Sequence, residues 1–340
     1  MSFMTGMMPL VPLPTPRGDS DPLKVVALGG GHGLSASLKA LRRLTSELTA
    51  VVTVADDGGS SGRIREELDV LPPGDLRMAL SALCDDTDWG RTWRDVMQYR
   101  FKSKPGSEGS LDGHAMGNLL ITALWELLGD PVQGLRWAGA LLGARGQVLP
   151  MSVEPLAISG VIMGDAGNGQ LKQTRVTGQA QLAKAGNQGT VTDVNLIPAD
   201  APACQEALNE IMNADWCVVG PGSWYTSVMP HILLPGIREA LQNTNARILV
   251  TMNLTTDTKE TVGMDAAGHL QTIHRYAPDL RVDAVLADNS AVEDVDAFKK
   301  AAEGIGARVF FDRVGVGLGS AIHDPLRLTA AYHNVFTAFV

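Results

Sequence analysis

Apolar and polar positions fall into a regular order from Lys24 onward. The short apolar run Lys24–Leu28 reads as a buried strand and meets glycine at Gly29. Leu34, Leu38, Leu41 and Leu44 then recur near i, i+3/i+4, i+7 spacing, which predicts a helix. Ala50–Val54 reads as a second strand, ended by Ala55-Asp56-Asp57-Gly58-Gly59. A long helical stretch follows from about Pro73 to Gly143, broken by the polar loop Lys102–Gly113. Residues 147–200 differ. They are rich in Gly, Thr and Val, with alternating segments at Leu156–Met163 and Gly189–Ile197 and a turn at Gly167-Asn168-Gly169, so a β-rich excursion is expected. After Ala201 the strand candidates Asp215–Val219, Arg247–Met252, Val282–Leu286 and Arg308–Phe311 alternate with helical patterns. Near-continuous Val/Ile/Leu strands alternating with helices predict an α/β fold. The expected form is a doubly wound, mostly parallel sheet in one domain over 23–340, with a β-rich insertion at about 147–200.

Composition narrows the partners. The chain has 340 residues, 45% hydrophobic and 19% charged, enough apolar material for a sizeable core. Its net charge is −9 and it holds no long Lys/Arg run, which disfavours nucleic acid and anionic membranes. Cys84, Cys204 and Cys217 form no C-x-x-C pair and read as free, buried thiols of a reducing compartment. The most apolar stretch, Leu119–Gly129, is too short to span a bilayer. Residues 1–22 carry four Met and five Pro with no cation before Arg17, unlike a signal peptide, and read as a disordered tail. A cytoplasmic protein is expected.

In a doubly wound sheet, ligands sit beyond the carboxyl ends of the strands, so the loops there carry the chemistry. Gly29-Gly30-Gly31-His32-Gly33 precedes a helix start and can bring backbone N–H groups up to an anion. Gly31-x-Gly33-x-x-Ala36 also fits the loose dinucleotide pattern, with Asp56 twenty residues past Ala36 as the ribose-binding acid. The second loop, Asp56-Asp57-Gly58-Gly59-Ser60-Ser61-Gly62-Arg63, gathers two carboxylates able to hold Mg²⁺ and a guanidinium able to fork a phosphate. Gly74-Asp75-Leu76-Arg77 opens the next helix, where Asp75 is also a plausible N-cap. His114, with Asn118 beyond it, can act as an acid/base or merely cap and pack. Gly220-Pro221-Gly222-Ser223 with Tyr225, Thr226 and Ser227 offers a further anion loop but no nucleophile elbow. Asn253, Asp288 and Asn289 follow later strands and can read a base or ribose. Trp89 and Trp93, at i, i+4, are expected to pack rather than stack on a base.

Five of these motifs, in this order, resemble the gluconeogenesis factor (YvcK-type) family, related to the 2-phospho-L-lactate transferases (CofD). They are Gly29–Leu34, Val52–Arg63, Pro72-Pro73-Gly74-Asp75, Gly113-His114 with Gly117-Asn118, and Gly220–Ser223 with Tyr225-Thr226-Ser227. The resemblance runs from about Lys24 to His323-Asp324-Pro325. It implies a Rossmann-like cytoplasmic protein that binds a UDP-sugar such as UDP-N-acetylglucosamine and serves cell shape, peptidoglycan synthesis and gluconeogenic growth. The expected partners are a cell-envelope synthesis protein or a Ser/Thr kinase, with assembly as a homo-oligomer. Two positions depart from the family pattern. Met78 stands where Asn is usual, and Asp257 replaces Gln in the segment Asn253–Thr261, exchanging an amide for a carboxylate.

Three readings compete. A non-catalytic UDP-sugar sensor predicts binding without turnover. A Mg²⁺-dependent transferase would use Asp56 or Asp57 on the metal, with charge held by the glycine loops. An NAD-dependent oxidoreductase rests on the spacing to Asp56 alone. The sensor is preferred, because no nucleophile–base–orienter set is legible.

Overall fold

The computed structural model describes residues 22–104, 109–165, 171–185, 189–255, 260–317 and 319–340. The expected tail up to Asp21, the turn at 167–169 and Asp257 lie outside them. Seven strands form the main sheet: β1 (Lys24–Gly29), β2 (Glu47–Val52), β3 (Gln147–Pro150), β7 (Trp216–Val219), β8 (Arg247–Thr251), β9 (Ala284–Ala287) and β10 (Arg308–Phe311). Their order is β10-β9-β8-β7-β1-β2-β3, and every pairing is parallel. Chain order reverses between β1 and β7, which is the topological switch point of a doubly wound sheet. β4 (Ala157–Asp165), β5 (Leu171–Thr177) and β6 (Thr190–Ile197) make a separate antiparallel sheet in the order β5-β4-β6.

The helices are α1 (Gly31–Leu41), α2 (Gly59–Leu68), α3 (Pro73–Leu83), α4 (Asp88–Gln98), α5 (Met116–Leu128), α6 (Pro131–Leu142), α7 (Gln179–Ala185), α8 (Gln205–Met212), α9 (Met229–Leu233), α10 (Pro235–Asn243), α11 (Ala266–Tyr276), α12 (Val295–Gly304) and α13 (Pro325–Thr337). β1 is central and its Val25–Leu28 are buried, as a strand covered on both faces must be. On α1, Leu34, Leu38 and Leu41 are buried against the sheet, each such side chain contributing about 1.5–3 kcal/mol by leaving water.

Two expectations are corrected. Asp56–Arg63 is not loop throughout, because α2 begins at Gly59. Residues 147–150 belong to the main sheet rather than to the excursion. Trp89 and Trp93 do pack together, ring centroids 5.7 Å apart, and the Trp89 indole donates to Leu141 O. All three cysteines are free and buried, and burial alone pushes the Cys217 thiol up to about 12.

Buried hydroxyls join the C-terminal helix to the switch point. Ser37 of α1 donates to Gly220 O and lies 2.6 Å from the Tyr332 hydroxyl of α13, which also meets Thr251 of β8. The loop after β7 is thereby fixed from below. No helix among the described residues is long and apolar enough to cross a membrane.

Candidate functional site

A cavity of about 400 Å³ opens at the switch point. Gly30–Gly33 form one side and Pro221, Gly222, Ser223 and Ser227 the other. The two loops touch backbone to backbone. A Cβ on Gly33 would stand 2.2 Å from Pro221 O, so only glycine permits the approach. Gly31, at φ +57, turns the chain into α1 and aims the first amides of that helix at the cavity. Asn253, after β8, clips the opposite loop twice: its Oδ1 accepts from Gly222 N at 3.0 Å and its Nδ2 donates to Gly222 O at 2.8 Å. Its amide therefore holds both backbone polar groups of Gly222, although the residue still lines the cavity.

Two carboxylates lie in the floor. Asp56 accepts from Gly58 N at 2.9 Å and from the Ser61 hydroxyl. Asp75 is not a cap: α3 begins at Pro73, its N-cap is Pro72, and Asp75 in the first turn accepts the Gly31 N–H. A Cβ on Gly30 would stand 2.4 Å from Asp75 Oδ2, which places the carboxylate directly under the glycine loop. Burial and the neighbouring Asp56 charge raise the Asp75 carboxyl to about 7, and burial also raises Asp56. Among the described lining residues there is no Lys or Arg; the nitrogen bases are His32 and His323.

The remaining predicted residues separate into three places. Behind the floor, Ser60 Oγ meets His114 Nδ1 at 3.1 Å and accepts from Asn118 Nδ2 at 3.0 Å. Asn118 Oδ1 in turn accepts from Arg77 Nε at 2.8 Å, while Arg77 also reaches Gln98. Ser61 Oγ accepts from Gly74 N at 3.0 Å. This network locks α2, α3 and α5 together, with His114 buried in it rather than lining the cavity. Arg63 turns outward and donates to Asp112 O. Asp57 lies against the insertion, where a Cβ on Gly178 would meet its Oδ2 at 2.1 Å. The carboxylate pair at the cavity is thus Asp56 with Asp75, not Asp56 with Asp57.

Beneath the cavity, Tyr225 and Thr226 are buried in a π-helical turn, Trp224–Val228, and do not line the opening. Glu260, which sequence reasoning missed, is 5% exposed and accepts the N–H groups of Trp224 and Tyr225 and the Thr226 hydroxyl. The Trp224 and Tyr225 amides and the Thr226 hydroxyl of this loop are therefore engaged by a protein carboxylate, while its Gly222, Ser223 and Ser227 line the cavity. Farther off, Asp288 is consumed by structure: it accepts from Ser290 N, Ser290 Oγ, Val314 N and Gly315 N, and neither it nor the exposed Asn289 reaches the cavity. Met78, Gln179, Leu254, Thr255, Ala321 and His323 complete the wall. Of these, Met78, Leu254, Thr255 and His323 stood in recognisable motifs, whereas Gln179 has no local sequence signal.

Two half-buried carboxylates with no Lys or Arg among the described lining residues fit a divalent cation, since Mg²⁺ takes one or two carboxylates with phosphate oxygens and water. Among the described residues no three His, Cys, Asp or Glu gather as a closed metal site.

The comparisons with known proteins agree with this architecture. A family model described as 2-phospho-L-lactate transferase CofD matches residues 25–317. The chain is 45% identical over 315 residues to a protein of Mycobacterium tuberculosis, covering 92% of this chain and 90% of that one. It is 39% identical over 279 residues to the Gluconeogenesis factor of Halalkalibacterium halodurans, covering 82% and 81%. The crystal structure of a UPF0052 family member from Bacillus halodurans superposes with a TM-score of 0.79 at 34% identity, covering 92% of this chain and 98% of that one. A switch-point cavity on a mostly parallel sheet and matches of this extent lead to one conclusion: the chain belongs to the CofD family, among its gluconeogenesis factors.

Proposed function

We propose that the chain is a regulator that binds a nucleotide-sugar diphosphate, of the UDP-N-acetylglucosamine kind, at the switch-point cavity together with Mg²⁺. The observation that carries this reading is the pairing of an anion-seeking helix N-terminus, Gly31–Gly33, with two carboxylates and no Lys or Arg among the described residues that line the same cavity. A phosphate there gains the amide dipoles of α1 but meets Asp56 and Asp75, and a divalent cation removes that conflict. Asp56 and Asp75 would hold the cation, which supplies charge neutralisation to the phosphate. The chain's own residues bind and orient: the glycine loop donates, Asn253 fixes the facing loop, and Met78 and Leu254 exclude water from the apolar part of the ligand. Handing the ligand state to a protein partner of cell-envelope synthesis would complete the regulatory role.

A second reading, a transferase acting on a nucleotide-diphosphate substrate, is favoured by Asp75. Its carboxyl is held near neutrality beside the glycine loop, where it can accept a proton from an attacking hydroxyl. Isothermal titration with UDP-N-acetylglucosamine, UDP-glucose, GDP and NAD, with and without Mg²⁺, separates the readings when the recovered ligand is analysed. UDP-sugar binding that needs Mg²⁺ and returns intact ligand supports the regulator. GDP binding with no response to UDP-sugars refutes it.

A further inference from the structure

Among the described residues, the antiparallel insertion contributes one polar side chain to the cavity. Gln179, the first residue of α7, lines it, and its Nε2 lies 3.3 Å from Thr226 Oγ1. Thr226 is 3% exposed and its hydroxyl also bonds the Glu260 carboxylate. The order of donors along this chain of three is fixed from the buried end. Glu260 also accepts the N–H groups of Trp224 and Tyr225. A hydroxyl has a single proton, and an ionised carboxylate can only accept. Thr226 therefore gives its proton inward to Glu260 and has only lone pairs left to offer outward. Gln179 must meet those lone pairs with its NH₂ group.

We propose that Glu260, acting through Thr226, fixes the Gln179 amide with its carbonyl oxygen turned into the cavity, so that the insertion reads a hydrogen-bond donor on the ligand. Gln179 is then a specificity-determining residue, and Thr226 and Glu260 are positioning residues. The ligand group opposite it is an amide or imide N–H or a hydroxyl, and an acceptor placed there is refused. In ligand terms the inference rests on the nucleotide-sugar reading, whose sugar hydroxyls, acetamido N–H and uracil imide N–H are such donors. The wall itself does not depend on that reading.

The test is made at pH 8.5, where Glu260, held by burial at about 7, is ionised. In the ligand-free chain, the side-chain amide resonances of Gln179, identified by their loss in Gln179→Glu, are expected to be slow in solvent exchange. They move to a solvent-exposed position in Thr226→Val and in Glu260→Met, and stay in place in Thr226→Ser and in Glu260→Gln, whose carbonyl still accepts. Unchanged resonances in Thr226→Val overturn the proposal whatever the ligand proves to be. With UDP-N-acetylglucosamine and Mg²⁺, Gln179→Ala and Thr226→Val each weaken binding about tenfold, as loss of one hydrogen bond to an unpaired partner requires. Thr226→Val costs nothing further on the Gln179→Ala background, because both remove the same contact. Losses that multiply overturn it. If the wild-type chain binds no UDP-sugar, the nucleotide-sugar reading fails while the spectra still decide the wall.

Discussion

Replacing Asp75 by Asn removes one of two neighbouring half-buried charges while keeping an oxygen to accept the Gly31 N–H. The folded chain raises this carboxyl from 3.8 to about 7, with burial first and the Asp56 charge second as causes. At ~1.4 kcal/mol per pH unit, that shift corresponds to ~4 kcal/mol of folding stability. The sign follows from which state holds the proton more tightly. A carboxyl raised on folding leaves stability intact below pH 3.8 and withdraws it as pH climbs to about 7, after which the loss is constant. Asp75 borders a cavity open to water, and screening there reduces the expected effect to ~2 kcal/mol. Asp75→Asn should match the wild type near pH 4 and exceed it by ~2 kcal/mol at pH 8.5. Urea unfolding at a series of pH values reads this directly as a growing gap in midpoint at constant slope. Millimolar Mg²⁺ at pH 8.5 should close the gap by stabilising only the wild type. A gap that is absent at pH 8.5, or equal at pH 4 and pH 8.5, refutes the like-charge account of the site.

Gly33→Ala forces a Cβ to within 2.2 Å of Pro221 O and should cost ~1–3 kcal/mol as well as ligand binding, whereas Gly304→Ala, with open space around it, should not weaken the fold; denaturant midpoints and titration compare the two. Asn118→Leu leaves the buried Arg77 guanidinium and Ser60 each short of a partner and should cost ~2–3 kcal/mol in urea unfolding. His231 is fully buried, bonds Val51 O, and is lowered by burial from 6.5 to about 4. Stability should therefore fall by ~3 kcal/mol as pH drops from 6.5 to 4, and His231→Gln should flatten that slope in thermal melts.

The strands at the centre of the sheet were legible because burial on both faces demands unbroken apolar runs, as in Val25–Leu28 and Ile248–Val250. β3 was not, since four residues beginning with Gln147 merge with the segment that follows, and β5, with its sequence LKQTRVT, carries too few apolar positions to register. α2 was hidden by Gly59, Ser60, Ser61 and Gly62, poor helix formers whose helix is held by the Ser60–Asn118 and Ser61–Gly74 bonds rather than by propensity. At the site, backbone chemistry could be read while side-chain direction could not. The glycine loop stands where its composition predicts, but Arg63 and Asp57 point away, Asp75 faces the glycines instead of capping its helix, and Asp288 serves four backbone and hydroxyl donors. Gln179 and Glu260 act through partners distant in sequence, Thr226 and the Trp224–Val228 turn, and no local pattern marks such pairings.

The cavity wall begins at Gly30 and ends at His323, and β1 finds its partner β7 only after some 190 intervening positions. Contacts of such long sequence separation form late, because the loop entropy must be overcome before they are rewarded. The first glycine loop therefore emerges long before the surfaces that face it. A chain still being synthesised can pair β1 with β2 and grow α1 but has no pocket to offer. Ligand binding consequently reports completion of folding: small molecules of the cell partition only to finished molecules, and any that bind hold the two ends of the chain's history together, slowing unfolding more than they hasten folding.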